Sequence, residues 1–145
     1  MRISELYDTI GIIENKIQLP LFNYAVSAGF PSPADDYIDI KLDLNEYLIK
    51  RPASTFLVRV KGESMTKAGI YDGDLLTVDR SILPGNGKIV IAVINGECTV
   101  KRIQYKNDIL YLLPENDAYE PIIIKEPTDT VFVWGVVTHV IHPLL

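Results

Sequence analysis

Apolar and β-branched residues recur after Thr55 in short runs that turn-forming residues separate. Such runs, bounded by Gly, Asn, Asp or Pro, are typical of β-strands. The pattern predicts strands over residues 55–60, 75–78, 88–94, 97–103, 109–113, 122–125 and 131–141. Asn95-Gly96 separates two of them and is the strongest short signal for a hairpin turn. Short strands linked by turns in this way predict a mostly β fold, closed or sandwiched around a compact core.

One short helix is predicted ahead of these strands. Asp43 can cap its first turn, and Glu46 lies three residues later, as in a capping box. Pro52 prevents the helix from continuing far, because proline lacks the N–H that a helix interior needs. Its apolar face would consist of Leu44, Tyr47 and Leu48.

Residues 1–40 show little clean periodicity, and their centre reads Ala28-Gly29-Phe30-Pro31-Ser32-Pro33. Proline favours extended backbone at its own position and at the residue before it. We therefore expect an extended arm. The alternative is an ordinary loop, which is the commonest structure for clusters of Gly and Pro.

Composition and charge narrow the functional classes. The chain has 145 residues, of which 48% are hydrophobic and 23% charged, so it is long and apolar enough for one domain with a real core. Asp and Glu number 19 against 14 Lys and Arg, which gives a net charge of −5. Proteins that grip phosphate backbones usually present a basic surface. Direct nucleic-acid binding is therefore not expected to be its main work.

Cys98 is the single cysteine, so neither an internal disulfide nor a cysteine-based metal site is expected, which suits a reducing cytoplasm. The first residues lack the basic start and apolar run of a secretion signal. Apolar runs such as residues 89–94 are far shorter than the roughly 18–20 residues that span a bilayer. We expect no membrane segment and a cytoplasmic location.

Metal and histidine chemistry are poorly supported. His139 and His142 lie three residues apart in or beside a strand, so their side chains should point to opposite faces. Asp72 and Asp74 flank Gly73, but no further series of oxygen ligands follows, which indicates a turn rather than a calcium site. No metal or cofactor is expected.

Ser64 and Lys101 remain as candidates for chemistry. Ser64 follows Gly62 just past a predicted strand, where a sharp turn could lift its hydroxyl out of the sheet. Lys101 shares one face of its strand with Thr99 and Ile103, and the isoleucine hints that this face is buried. Taken singly, a capping serine and a solvated strand lysine are the commoner interpretations.

Read together, these residues resemble the LexA/UmuD group of self-cleaving serine peptidases. Within that group the chain looks most similar to UmuD-type mutagenesis proteins, which are accessory subunits of an error-prone, lesion-bypass DNA polymerase. The similarity extends from about residue 19 to residue 142. Its motifs, in order, are Phe22, Ala28-Gly29-Phe30-Pro31-Ser32-Pro33-Ala34-Asp35-Asp36-Tyr37, Asp43-Leu44-Asn45, Gly62-Glu63-Ser64-Met65, Gly69-Ile70-Tyr71-Asp72-Gly73-Asp74-Leu75-Leu76, Thr99-Val100-Lys101 and residues 133–137.

The resemblance implies a role for each reaction element. Ser64 would be the nucleophile, Lys101 the general base, and Ala28–Gly29 the bond that the protein cuts in its own chain. Residues 1–28 would form an arm that is removed, and residues 29–145 a compact β-clip-type peptidase domain. The resemblance also implies a homodimer, stimulation by a RecA–single-stranded DNA filament, and a UmuC-like translesion polymerase subunit as partner. The host would be a bacterium, or a plasmid or phage within one.

The chemistry is consistent with these residue types. A serine hydroxyl needs a base within hydrogen-bond reach, and a free lysine, with a pKa of about 10.4, is mostly charged at neutral pH. Burial lowers the pKa of a lysine and makes the neutral amine available. The backbone N–H of Ser64 would be a natural donor to the oxyanion at such a turn.

Three other functions compete with this interpretation. A repressor of the same group needs a helix-turn-helix before the cut, and residues 1–28 are too few and too acidic for one. A signal peptidase uses similar Ser/Lys chemistry but should carry a membrane anchor. A non-catalytic, β-rich protein-interaction module, in which Ser64 and Lys101 are incidental, stays open as the alternative.

Overall fold

The computed structural model describes residues 16–22, 38–125 and 131–145. The chain divides into two units, residues 1–47 and residues 48–145. In the first unit, strands β1 (Leu19–Phe22) and β2 (Ile38–Leu42) pair antiparallel, with Leu19 opposite Leu42. The sequence did not predict these two strands. They are short, and Pro20 lies inside β1, where it cannot donate a ladder hydrogen bond.

Helix α1 (Leu44–Leu48) follows β2 and confirms the predicted helix. The Asp43 carboxylate accepts a hydrogen bond from the Asn45 N–H at 2.9 Å, which is the expected cap. The Glu46 carboxylate forms an ion pair with Lys16 Nζ at 2.5 Å. A 3-10 turn over Pro52–Ser54 then leads into the second unit's first strand.

In its described part, the second unit contains one antiparallel sheet of seven strands. All seven predicted strands are present within the described residues, and the largest difference from prediction is that the fourth of them continues three residues further. They are β3 (Thr55–Arg59), β4 (Leu75–Asp79), β5 (Ile89–Ile94), β6 (Glu97–Lys106), β7 (Ile109–Leu113), β8 (Ile122–Ile124) and β9 (Val131–Ile141). Their spatial order is β3-β4-β9-β5-β6-β7-β8, so β9 lies between β4 and β5.

The Asn95-Gly96 turn joins β5 to β6 as predicted. Both residues have positive φ, 52° and 82°, as the favoured two-residue hairpin turn requires. The turn fixes the register of the pair, and Val90 of β5 lies directly opposite Lys101 of β6. Lys101 is thereby placed beside the most buried part of β5.

Two clusters of buried apolar side chains form the core of this unit. Adjacent residues of β5 contribute to different clusters, because successive side chains of a strand face opposite ways. One cluster contains Val60, Met65, Ile70, Leu76, Val78 and Ile91. The other contains Val90, Ala92, Ile103, Leu112 and Val136. The central strands are therefore packed on both faces, which holds them in place.

Gly135 lies in the part of β9 that is flanked by β4 on one side and β5 on the other. A Cβ atom at this position would lie 2.6 Å from Val78 Cγ1, closer than two carbon atoms can approach. The register of β9 shifts on both sides of it, against β4 and against β5. Only glycine fits here without displacing the buried valine.

Candidate active site

Ser64 lies on a turn between β3 and β4, residues 60–69, which we call the Ser64 turn. Near the start of this turn, Gly62 has a φ of 97°, a backbone conformation that residues with a side chain rarely adopt. Met65 follows the serine and is inserted into the first core cluster. A 3-10 turn over Thr66–Ala68 then ends at Gly69, whose φ is 81°. The backbone conformation of Gly62 and the burial of Met65 thus fix the position of Ser64.

A second turn supports the chain just before the serine. The Val60 N–H donates to the Asp74 carbonyl at 2.8 Å, and the Gly73 N–H donates to the Val60 carbonyl at 2.8 Å. The Asp72 carboxylate accepts from the Gly62 N–H at 2.7 Å. The segment Asp72-Gly73-Asp74 is therefore a turn, as predicted, and its hydrogen bonds brace the approach to Ser64.

The structure brings Lys101 and Ser64 together. Lys101 Nζ lies 3.0 Å from Ser64 Oγ. The same nitrogen donates to Thr99 Oγ1 at 2.7 Å and to the Val100 carbonyl at 3.1 Å. The lysine is only 7% exposed, and Ile103 on the same strand is fully buried. The burial predicted for this face is confirmed.

Burial also changes the acidity of this amine. Desolvation disfavours the charged ammonium form, and it lowers the pKa of Lys101 from its ordinary value. A lower pKa makes the neutral amine, which can accept a proton, more abundant near neutral pH.

A groove runs past Ser64 between the Ser64 turn and the start of β6. It is open to solvent on one side, so an extended peptide backbone could lie along it. Its lining combines apolar and basic residues with small polar ones, and besides Ser64 it consists of Val58, Arg59, Val60, Lys61, Gly62, Met65, Ile91, Cys98, Thr99 and Val100. Ala28 and Gly29, the predicted cleavage site, lie outside the described residues.

Sequence reasoning missed a segment that contacts the Ser64 turn from the end of β7. The Glu115 N–H donates to the Ser64 carbonyl at 2.7 Å, and the Glu115 carbonyl accepts from the Lys67 N–H at 2.8 Å. Asn116 Nδ2 donates to the Glu63 carbonyl at 2.7 Å. The sequence offered no local signal for these contacts, because the partners come together only in the folded sheet.

The two histidines make separate contacts. His142 Nδ1 lies 2.5 Å from the carboxylate of buried Asp74, while His139 Nδ1 lies 3.1 Å from Thr138 Oγ1. Burial alone would raise the pKa of Asp74. The hydrogen bond from His142, the Tyr71 N–H and the charge of His142 outweigh it and hold that pKa below its usual range. Sequence reasoning did not find this pair, whose members are 68 residues apart.

Comparison with known proteins identifies the family. The model of the peptidase S24-like family matches residues 20–138, most of the chain. This protein belongs to the peptidase S24-like family. The LexA/UmuD resemblance of the sequence and the mostly β fold are thereby confirmed. Within the described residues, this peptidase S24-like protein has no helix long and apolar enough to cross a membrane.

Individual relatives agree with this assignment. The chain is 50% identical over 128 residues to Protein ImpA of Escherichia coli, covering 85% of this chain and 83% of ImpA. It is 41% identical over 128 residues to Protein MucA of Escherichia coli, covering 87% of each. It is 40% identical over 124 residues to the LexA repressor of Glaesserella parasuis, covering 86% of this chain but 58% of the repressor.

Proposed function

We propose that this protein is a self-cleaving serine peptidase of the UmuD type, in which Ser64 and Lys101 form the catalytic dyad. The observation that carries the proposal is the 3.0 Å contact between the serine hydroxyl and a buried amine. Nucleophile and base within hydrogen-bond reach of one another are the minimum that serine acyl-transfer chemistry requires.

The hydrogen bonds of Lys101 suit a general base. A neutral amine has two N–H groups and one lone pair. One of these N–H groups donates to the Val100 carbonyl, and the other donates to Thr99 Oγ1. With both N–H groups used in this way, the lone pair remains for the Ser64 hydroxyl proton. The amine is thus oriented as well as desolvated.

The reaction proceeds in two stages. Ser64 Oγ attacks the Ala28 carbonyl carbon while Lys101 Nζ takes the hydroxyl proton, and the Ser64 N–H stabilises the oxyanion. The ammonium then gives its proton to the Gly29 nitrogen, the peptide bond breaks, and an ester links residues 1–28 to Ser64. The neutral amine takes a proton from water, the resulting hydroxide attacks the ester, and the ammonium returns the proton to Ser64 Oγ as the arm leaves with a new carboxyl group at Ala28. The domain of residues 29–145 remains.

The resemblance to UmuD-type proteins supports the biological setting. In this proposal, a RecA–single-stranded DNA filament stimulates the cut as part of the response to DNA damage. The trimmed protein then acts in the bacterial cytoplasm as accessory subunit of a UmuC-like translesion polymerase, and proteolysis serves as the switch. Sequence similarity to bacterial ImpA and MucA supports this assignment.

An aromatic patch supports assembly as a homodimer. Phe132 and Trp134 alternate along β9, so they share one face, and both are exposed. Phe56 of β3 packs against Trp134 with ring centroids 4.4 Å apart. Exposed aromatic patches of this kind mark protein interfaces. Sedimentation of Trp134→Ser against the parent tests this surface, and an unchanged dimer would contradict its use.

Intact-mass analysis after incubation at about pH 10, where lysine deprotonates, tests the proposed activity. We expect the parent to yield residues 1–28 and 29–145, and Ser64→Ala and Lys101→Ala to remain whole while folded. An uncut but folded parent, with or without RecA filaments, would contradict the peptidase and favour the non-catalytic interaction module.

A further inference from the structure

One ion pair joins the strand of Lys101 to Glu115, whose backbone contacts the Ser64 turn. Arg102 follows Lys101 on β6, and its Nε donates to Glu115 Oε1. Arg102 Nη1 also donates to the Gly87 carbonyl at 2.6 Å, which fixes the other side of the guanidinium. The backbone N–H of the same Glu115 donates to the Ser64 carbonyl at 2.7 Å. Lys101 is therefore linked to Ser64 through its neighbour Arg102 and through Glu115.

The contact is braced on both sides of the serine. Asn116 Nδ2 donates to the Glu63 carbonyl at 2.7 Å, immediately before Ser64. The Glu115 carbonyl accepts from the Lys67 N–H at 2.8 Å, shortly after it. Residues 115 and 116 thus form hydrogen bonds with the backbone of Glu63, Ser64 and Lys67.

We propose that the Arg102–Glu115 pair positions the dyad by setting the distance between Lys101 Nζ and Ser64 Oγ. This inference rests on the proposed function. Lys101 and Arg102 are consecutive on a strand, so a shift of the backbone at Arg102 moves the base with it. Catalysis by proximity is sensitive to such shifts, since a displacement of about 1 Å can cost roughly 100-fold in rate.

The pair is suited to this task by its partial burial. The side chains of Arg102 and Glu115 are 34% and 28% exposed, so solvent screens their attraction less than that of a surface pair. The neighbouring pair of Lys67 and Asp117 has exposures of 57% and 90%. It joins the Ser64 turn to the segment that contains Glu115 and is open to water, which makes it a control for the loss of a carboxylate from that segment.

Rates of self-cleavage at pH values up to the plateau, where Lys101 is neutral, test the proposal. We expect Glu115→Ala to lower the plateau about 10- to 100-fold. Glu115→Gln keeps an acceptor for Arg102 and should recover most of the rate, and Asp117→Ala should stay within about twofold of the parent. A purely structural role would lower the melting temperature and leave the plateau of the folded protein unchanged. A folded Glu115→Ala variant with the parent's plateau would overturn the proposal.

Amide hydrogen exchange gives a second readout that needs no cleavage. In the Ser64→Ala background, Glu115→Ala should speed exchange at the amides of residues 115 and 67 by about tenfold or more. Asp117→Ala should leave both amides unchanged. Unaltered exchange in the Glu115→Ala protein contradicts the positioning role. A parent that is never cut contradicts the proposed function instead, so the two failures can be told apart.

Discussion

Lys101 Nζ and Ser64 Oγ lie 3.0 Å apart, although the two residues are 37 positions apart in the sequence. The serine lies on a turn braced by the buried Met65, and the lysine is on the second strand of a hairpin fixed by Asn95-Gly96. Neither element alone would favour a neutral amine beside a hydroxyl. The fold makes catalysis possible by bringing the two elements together, although Ser64 or Lys101 alone would not indicate an active site.

The rate of self-cleavage should rise with pH. The neutral amine is the active base, and burial lowers the pKa of Lys101, so the rate should level off below the ordinary lysine value of about 10.4. The measurement is the cleavage rate between about pH 6 and pH 11. A rate that is flat between about pH 7 and 10 would contradict a lysine base. Lys101→Arg should be inactive at every pH, because arginine stays protonated.

Thr99 should orient the base. Thr99→Val removes the hydroxyl that accepts from Lys101 Nζ at 2.7 Å and keeps the shape of the side chain, so we expect cleavage about tenfold slower. Thr99→Ser keeps the hydroxyl and should retain most of the rate. Both variants are compared with the parent by cleavage rate and by melting temperature. Equal rates for the valine and serine variants would exclude an orienting role.

Asp74 should contribute stability that is lost in acid. Its pKa is held below the usual range in the folded protein, so its contribution is full above the unfolded value of about 3.9 and disappears as pH falls through the folded value. Asp74→Asn should therefore be less stable than the parent at pH 7, with the difference narrowing below about pH 4. Urea denaturation at several pH values measures this. Asp117→Asn, at an exposed carboxylate, is the control, and a difference that does not vary with pH would refute the assignment.

Gly135→Ala should destabilise the sheet. The added Cβ would lie 2.6 Å from Val78 Cγ1, and overpacking of this kind costs about 1–3 kcal/mol of unfolding free energy. Gly85→Ala is the matched control, because its Cβ would meet Lys88 Cε at an ordinary 3.8 Å. The two variants are compared by chemical denaturation. Equal stability would show that β9 moves freely enough to admit the methyl group.

Local patterns predicted the elements more completely than the site. Alternation and turn residues identified the seven strands of the second unit, and Ile103 correctly signalled the burial of Lys101. Each of these sequence patterns lies within a few residues of the strand or the buried side chain that it predicts. The contact of Glu115 with Ser64 and the pair of Asp74 with His142 join distant parts of the chain, so no local period encodes them. β1 escaped prediction because Pro20 contradicts the usual composition of a strand.

The position of β9 has a consequence for how the active site is assembled. β3 and β4, which flank the Ser64 turn, and β5 and β6, which carry the base, belong to one sheet only through this strand. Of the seven strands of this sheet, it is also the last in sequence order. Without β9, no strand pairing would connect the hairpin that flanks the serine with the hairpin that carries the lysine. We therefore expect the 3.0 Å distance between Lys101 Nζ and Ser64 Oγ to depend on the pairing of β9 with both β4 and β5.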